Sequence, residues 1–201
     1  MSNLLDIIGG LLIFGVVLLM SLQLNIFSME QNTQSALRSM SQETISGDET
    51  GSAGLGKILE TDLSRIGLAD TLSPSVLIAD STQLKFRGDV NNNGTLDSVR
   101  YYITNPGSTP AGGNPNLKYL YRRQNTESGT GGRFGVSQLK FLYLDDMGKV
   151  IPTPVSSGSL SSIKSIKVQL MVSANIRLKT DTDTSFAASY WESLVSPPNI
   201  K

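Results

Sequence analysis

Three regimes of hydrophobic patterning divide the chain. From Leu4 to Leu24 it reads LLDIIGGLLIFGVVLLMSLQL, apolar on every side, with Asp6 as its only charge. The uncharged run Ile7–Met29 is 23 residues long and ends at Glu30. A helix rises ~1.5 Å per residue, so this run reaches ~35 Å, against a hydrocarbon thickness of ~30 Å. One membrane-spanning or filament-core helix is the leading expectation. A secretory signal peptide fits less well, because no Lys or Arg precedes the run and no small-x-small site follows it. A buried helix of a soluble domain is rarely apolar for so long. The first basic residue is Arg38, so loop charge does not orient the span.

The second regime is amphipathic. In residues 25–45, Ile26, Met29, Thr33, Ala36, Leu37, Met40 and Ile45 fall at helical spacing, with Glu30, Gln34, Arg38 and Gln42 between them. No Pro occurs before Pro74, so one long helix is predicted from about residue 3 to 45. The stretch Ser46–Ser52 breaks it. A shorter helix, LGKILETDLSRIG, follows; Leu55, Ile58, Leu59, Leu63 and Ile66 form its apolar face and Gly67 its stop.

From Ser75 the period becomes two. Strands are predicted at Ser75–Ala79, Gln83–Arg87, Asp97–Thr104, Leu117–Arg123, Gln138–Leu144 (continuing to Ile151) and Ser162–Ala174. Gly- and Pro-bearing loops are expected at Asn105–Asn116, Ser128–Gly135 and Pro152–Ser162, and a turn at Asp145–Gly148. Tyr190 and Trp191 are expected to pack under the sheet, and the tail Ser193–Lys201 to be irregular. The fold class is α+β: a long N-terminal hydrophobic helix (1–45), then a head (46–201) with a short helix and an antiparallel sheet.

Composition narrows the chemistry. The 201 residues hold 17 Lys plus Arg, 17 Asp plus Glu, no His and no Cys. No Ser-His-Asp triad, Cys nucleophile, zinc finger or disulfide can be built. Asp145-Asp146 and Asp181/Asp183 read as turn and loop acids rather than a glycosidase pair, and no enzymatic activity is expected. A net charge of zero gives no global attraction to nucleic acid. Tyr119, Tyr121, Arg122 and Arg123 are expected to form an ordinary cross-strand surface rather than a platform for single-stranded nucleic acid, and no nucleic-acid partner is predicted.

One constellation points to a hard cation. Asp89-Val-Asn91-Asn-Asn93-Gly94-Thr95-Leu96-Asp97 has the spacing D-x-N-x-N-G-x-x-D. Side-chain oxygens at positions 1, 3 and 5, a Gly at 6, the Thr95 carbonyl at 7 and an acid at 9 can wrap calcium. Position 12 is Arg100, where an EF-hand carries a bidentate Glu, so the site is weak or filled out by another loop residue such as Asp80. The bland reading is a hairpin turned by Asn93-Gly94, and the two are compatible.

The order of these pieces resembles the type IV pilin-like proteins, in particular the minor pilins and minor pseudopilins. The apolar helix with one carboxylate near its start resembles their stem. ETDLSRIGL is similar to the helix that follows the stem, and FRGDVNNNGTLDSVRYYI, LKFLYLDDMGKVI, SIKSIKVQLMV and LVSPPNI to their strands and turns. The resemblance covers nearly the whole chain and implies a structural subunit of a type IV pilus or type II secretion-type filament. Such a subunit sits in the inner membrane, is extracted by the assembly machinery and packs its helix among other pilin-like subunits in a cell-surface or periplasmic filament. It implies that Asp6 pairs with the terminal ammonium of a neighbouring subunit; the bland alternative places Asp6 at the headgroup boundary or near the helix N-terminus, where the dipole favours an acid. Gly9, Gly10 and Gly15 would let helices approach closely. The family's basic leader is not among these residues; Asp6 becomes fifth, the family's position for its carboxylate, if Met1 is removed. The expectation is a chain that starts after processing or one that is never processed. The Pro that breaks many pilin stems is also missing. The alternative is a membrane-anchored extracytoplasmic binding module in which the helix only tethers a calcium-stabilised β domain.

Overall fold

The computed structural model describes residues 2–46, 54–104, 113–126, 135–179 and 184–201. The expected loops at 105–116 and 128–135 fall largely outside these residues, and Asp181 and Asp183 wholly so. The chain divides into two compact units, Met1–Leu37 and Arg38–Lys201.

The first unit is helical throughout its described length, as part of helix α1 (Ser2–Ser46). Its large apolar side chains from Ile7 to Met29 are exposed, among them Ile7 at 68%, Leu11 at 73% and Phe14 at 66%. The helix is long and apolar enough to cross a membrane, and none of its apolar window is buried. Soluble proteins seldom leave a continuous apolar surface of this kind in water.

The second unit is α+β. The last turns of α1 are followed by α2 (Leu55–Ser64) and by β1 (Val76–Ala79), β2 (Gln83–Gly88), β3 (Asp97–Thr104), β4 (Lys118–Gln124), β5 (Gly135–Leu144), β6 (Val150–Ile151), a 3-10 turn (Ser157–Ser162), β7 (Ser165–Lys179) and β8 (Thr184–Val195). The eight strands form one antiparallel sheet in the order β1-β2-β3-β4-β5-β7-β8, with β6 paired to β5. The alternation read from the sequence sets its two faces. Leu84 and Phe86, Val99 and Tyr101, Leu139, Phe141 and Tyr143, and Ile166, Val168 and Leu170 all point inward and are buried. Leu55, Leu59, Leu63 and Ile66 recur at helical spacing and bury the apolar face of α2 in the same core, together with Ile45 from the end of α1.

Gly56 makes that packing possible. A Cβ there would lie 2.8 Å from the Trp191 ring and 3.2 Å from the Ile45 carbonyl oxygen. At the other end of α2, Gly67 has φ +77°, and a Cβ would lie 1.9 Å from the Asn199 carbonyl oxygen. The C-terminal residues are thereby seated: the Ser75 amide donates to the Lys201 carbonyl at 3.1 Å, and Lys201 Nζ donates to the Asp70 carbonyl at 2.5 Å.

Three expectations for the last third of the chain are corrected. Strand β8 was not foreseen, because TSFAASYWESLV puts small or polar residues on both faces and shows no apolar alternation. Ser193–Val195 belong to this strand, so only 196–201 lie beyond regular structure. Trp191 packs against the core, but Tyr190 points to the other face and is 55% exposed.

Candidate functional site

The loop 89–96 joins β2 to β3, closed by the pair Gly88↔Asp97. It is a hairpin, as expected, but longer than a tight Asn-Gly turn. Asn92 and Gly94 both take the left-handed conformation, φ +59° and +79°. Asn and Gly are the residues that reach this region at least cost. The reversal turns successive amide groups inward. Asp89, 4% exposed, accepts the Asn93 amide at 3.0 Å on Oδ1 and the Gly94 amide at 2.8 Å on Oδ2. Asn91 Oδ1 accepts the Asn93 amide at 3.2 Å, and Asn93 Oδ1 accepts the Thr95 amide at 2.8 Å. Asp89 is thus a buried carboxylate that accepts one backbone amide on each oxygen.

Asp97 carries the sharper signal. It is 4% exposed, and its Oδ1 accepts a hydrogen bond from Asn125 Nδ2 at 2.7 Å. Its Oδ2 is buried and has no hydrogen-bond partner among the described residues. A buried carboxylate oxygen without a donor is costly, and a cation is one way to satisfy it. The donor set of Asp89, Asn91, Asn93, the Thr95 carbonyl and Asp97 is all oxygen, which suits calcium rather than a softer metal. Among the described residues, no three His, Cys, Asp or Glu side chains come together. What the loop offers a hard cation is two carboxylates and neutral oxygens.

Asp80 is not part of it. It precedes β2, whereas Asp89 follows it, and six strand residues separate their positions by ~20 Å. Asp80 Oδ1 instead accepts the Ser81 amide at 2.6 Å, and its carbonyl accepts the Tyr143 hydroxyl at 2.9 Å. The residue brought to the loop is Asn125, just past β4. Its φ of +51° lets its amide donate to the Ser98 carbonyl and its Oδ1 accept the Ser98 amide, both at 2.8 Å. Its signal was local, an Asn at a strand end, but nothing in the sequence tied it to Asp97.

A second polar constellation holds α2 on the sheet. Asp62, 6% exposed, accepts the Tyr101 hydroxyl at 2.6 Å and Arg122 Nε at 2.6 Å. Burial, then the Asp62 charge, holds the Tyr101 phenol well above its ordinary range. The sequence did carry one hint. Asp62 falls three residues after Leu59 and four before Ile66, an acid set into an apolar face.

The group Tyr119, Tyr121, Arg122 and Arg123 is split by the strand alternation. Arg122 turns inward to Asp62. Tyr119 and Tyr121 lie on the outer face, with Tyr121 stacked on Tyr102 of β3 at 5.4 Å and edge-on to Tyr119 at 6.5 Å.

Of the residues expected to assemble the helix, Asp6 lies within α1, but its side chain is outside the described residues. Gly9, Gly10 and Gly15 are in α1, and a Cβ at any of them would meet nothing within 4 Å. The fold of the single chain does not require glycine there. No family model, curated protein or solved structure matches this chain.

Proposed function

We propose that the chain is a structural, non-enzymatic, pilin-like subunit, assembled into a filament through its hydrophobic N-terminal helix. The observation that carries this reading is the exposed apolar helix of the first unit, joined without a break to the sheet-bearing unit. Three glycines on it have open space around them, which suits close helix–helix approach. A carboxylate in such an environment costs several kcal/mol, on the order of 3, unless it is paired. Asp6 therefore fits a register-setting role opposite a neighbour's terminal ammonium. The subunit resides in the inner membrane before assembly and in a surface or periplasmic filament after it.

A second reading is favoured by the loop 89–97. With Asp97 Oδ2 buried and without a hydrogen-bond partner among the described residues, a calcium-stabilised binding module on a simple membrane tether accounts for the loop without a filament. Negative-stain microscopy of sheared surface material separates the two. Filaments that label for this chain support the subunit reading, and membranes that label without filaments support the tether.

A further inference from the structure

Both ends of the loop 89–97 are held by residues outside it. Its first residues are fixed to the end of α2. The Asp89 amide donates to the Leu68 carbonyl at 2.9 Å, and Arg65 Nη1 donates to the Val90 carbonyl. Gly88 permits this approach, since a Cβ there would lie 2.2 Å from the Arg65 carbonyl oxygen. The last residue, Asp97, is fixed to the end of β4. Asn125 extends the β3–β4 pairing one position past Val99↔Gln124, with its main-chain amide on the Ser98 carbonyl and its Oδ1 on the Ser98 amide, both at 2.8 Å. Its Nδ2 then donates to Asp97 Oδ1 at 2.7 Å. With one oxygen so held, the rotation of the Asp97 carboxylate is set, and with it the direction of the other oxygen.

That second oxygen stands apart from the rest of the loop. Both Asp89 oxygens, Asn91 Oδ1 and Asn93 Oδ1 accept amides of the loop itself. Asp97 is 4% exposed, and its Oδ2 is buried with no hydrogen-bond partner among the described residues. The arginines at the loop's entry are engaged elsewhere: Arg65 with the Val90 carbonyl and Arg87 with Asp70. Asp97 is the register partner of Gly88, so its Cα stands within ~9 Å of that of Asp89, one residue further on. A buried acceptor without a donor is costly. A hard cation removes that cost, because it binds oxygen and needs no hydrogen. Calcium accepts an irregular mixture of carboxylate, side-chain amide and main-chain oxygens, whereas magnesium demands a near-octahedral set and keeps its waters.

We propose that Asp97 Oδ2 is a calcium ligand and that Asn125 is its positioning residue, so that the ion ties the β2–β3 loop to β4 as well as closing the loop on itself. This rests on the calcium reading of loop 89–97 and adds to it a residue 28 positions from Asp97. Asn125 does not touch the ion, because its two side-chain polar atoms are used on Ser98 and Asp97. It acts through Asp97, as the partners behind metal ligands generally do. One consequence separates a ligand from an ordinary buried acid: Asp97 destabilises the fold without the ion and stabilises it with the ion. Asp97→Asn keeps an oxygen for Asn125 and presents an amide donor to the loop oxygens in place of a bare acceptor. Its effect on stability should therefore change sign with calcium.

The test compares wild type, Asp97→Asn and Asn125→Gly as full chains in non-ionic detergent, with melting followed by the fluorescence of Trp191, the single tryptophan. Glycine suits the φ of +51° at position 125 and removes only the side chain. Tm is measured in chelator and across a calcium chloride series, with magnesium chloride in parallel. In chelator, Asp97→Asn should melt at or above the wild type. In ~10 mM calcium the order should reverse, because only the wild type gains a ligand in its folded state. Asn125→Gly should still respond to calcium, with an apparent Kd weakened about tenfold. Magnesium should raise the wild-type Tm by less than about half as much. A wild type that melts identically in calcium and chelator overturns the calcium reading and this inference with it. A wild-type response that Asp97→Asn shares in full overturns this inference alone and leaves the loop as a site without Asp97. An unchanged Kd in Asn125→Gly, with a lower Tm in chelator, overturns the positioning role and makes Asn125 a structural residue only.

Discussion

Asp62 is a single carboxylate on which two elements depend. Removing it leaves the buried Tyr101 hydroxyl without its acceptor and the half-buried Arg122 guanidinium with only Gln124, so Asp62→Ala should cost about 2–3 kcal/mol in denaturant unfolding. Replacing all three together, Asp62→Leu, Tyr101→Phe and Arg122→Met, should recover most of that loss, because no polar group is then stranded. A triple variant as unstable as Asp62→Ala would show that the network itself, not the stranded partners, supplies the stability. Alkali gives a second test at this scale. Tyr101 and Tyr143 are both raised, in each case first by burial and then by a nearby carboxylate, Asp62 and Asp80 respectively. A raised folded-state pKa stabilises fully below the unfolded value of about 10, and that stability is lost as pH rises above it toward the folded value. Of the six tyrosines, these two should yield phenolate absorbance only as the sheet unfolds above about pH 10; six tyrosines titrating before any loss of ellipticity would refute the burial argument. For the loop, a Kd of ~1 mM predicts ~1.4 kcal/mol of stabilisation in ~10 mM calcium, or a rise in Tm of ~3–6 °C. Asp89→Ala should abolish that rise, and a wild-type protein melting identically in calcium and in chelator would leave a hairpin only.

At the scale of elements, two sets of glycines have opposite meanings. Gly56 is required by the fold, since a methyl group there meets the Trp191 ring at 2.8 Å. Gly56→Ala should cost about 1–3 kcal/mol through overpacking of α2 against β8. Gly10 has open space, so Gly10→Ala should leave the chain as stable or slightly more so, by ~0.5–1 kcal/mol of helix propensity, and yet reduce incorporation into filaments. Unimpaired assembly of Gly10→Ala would remove that glycine from the helix contact. The elements themselves differed in how openly the sequence declared them. β3 was legible to the residue at Asp97–Thr104 because Val99, Tyr101 and Ile103 alternate with Ser98, Arg100 and Tyr102. β8 was hidden because its inner positions include Ala187, Ser189 and Ser193, with Trp191 as their main apolar anchor. The loop 89–97 was legible because its donors are contiguous. The hold of Asn125 on Asp97, and of Arg122 on Asp62, joins residues 28 and 60 positions apart, and no periodicity encodes such a pairing.

At the scale of the whole molecule, the apolar helix proposed to assemble subunits and the sheet with its own buried core fall in separate compact units. Deleting residues 1–28 should convert a detergent-requiring protein into a soluble one with the circular dichroism of a folded sheet, and an insoluble or unfolded 29–201 fragment would contradict that separation. The central claim is that the helix assembles subunits rather than merely holding the head at a membrane, and Asp6 is where the two differ. Asp6→Ala removes a charge from an apolar segment, so membrane insertion should be undiminished. A register set by an ion pair should nevertheless be lost, and Asp6→Glu, which keeps the charge, should restore most of it. The most direct measurement is the fraction of each variant in sheared filaments relative to its fraction in membranes. Wild type and Asp6→Glu are expected in filaments, with Asp6→Ala retained in the membrane; equal partitioning of wild type and Asp6→Ala would contradict an assembling role for the helix.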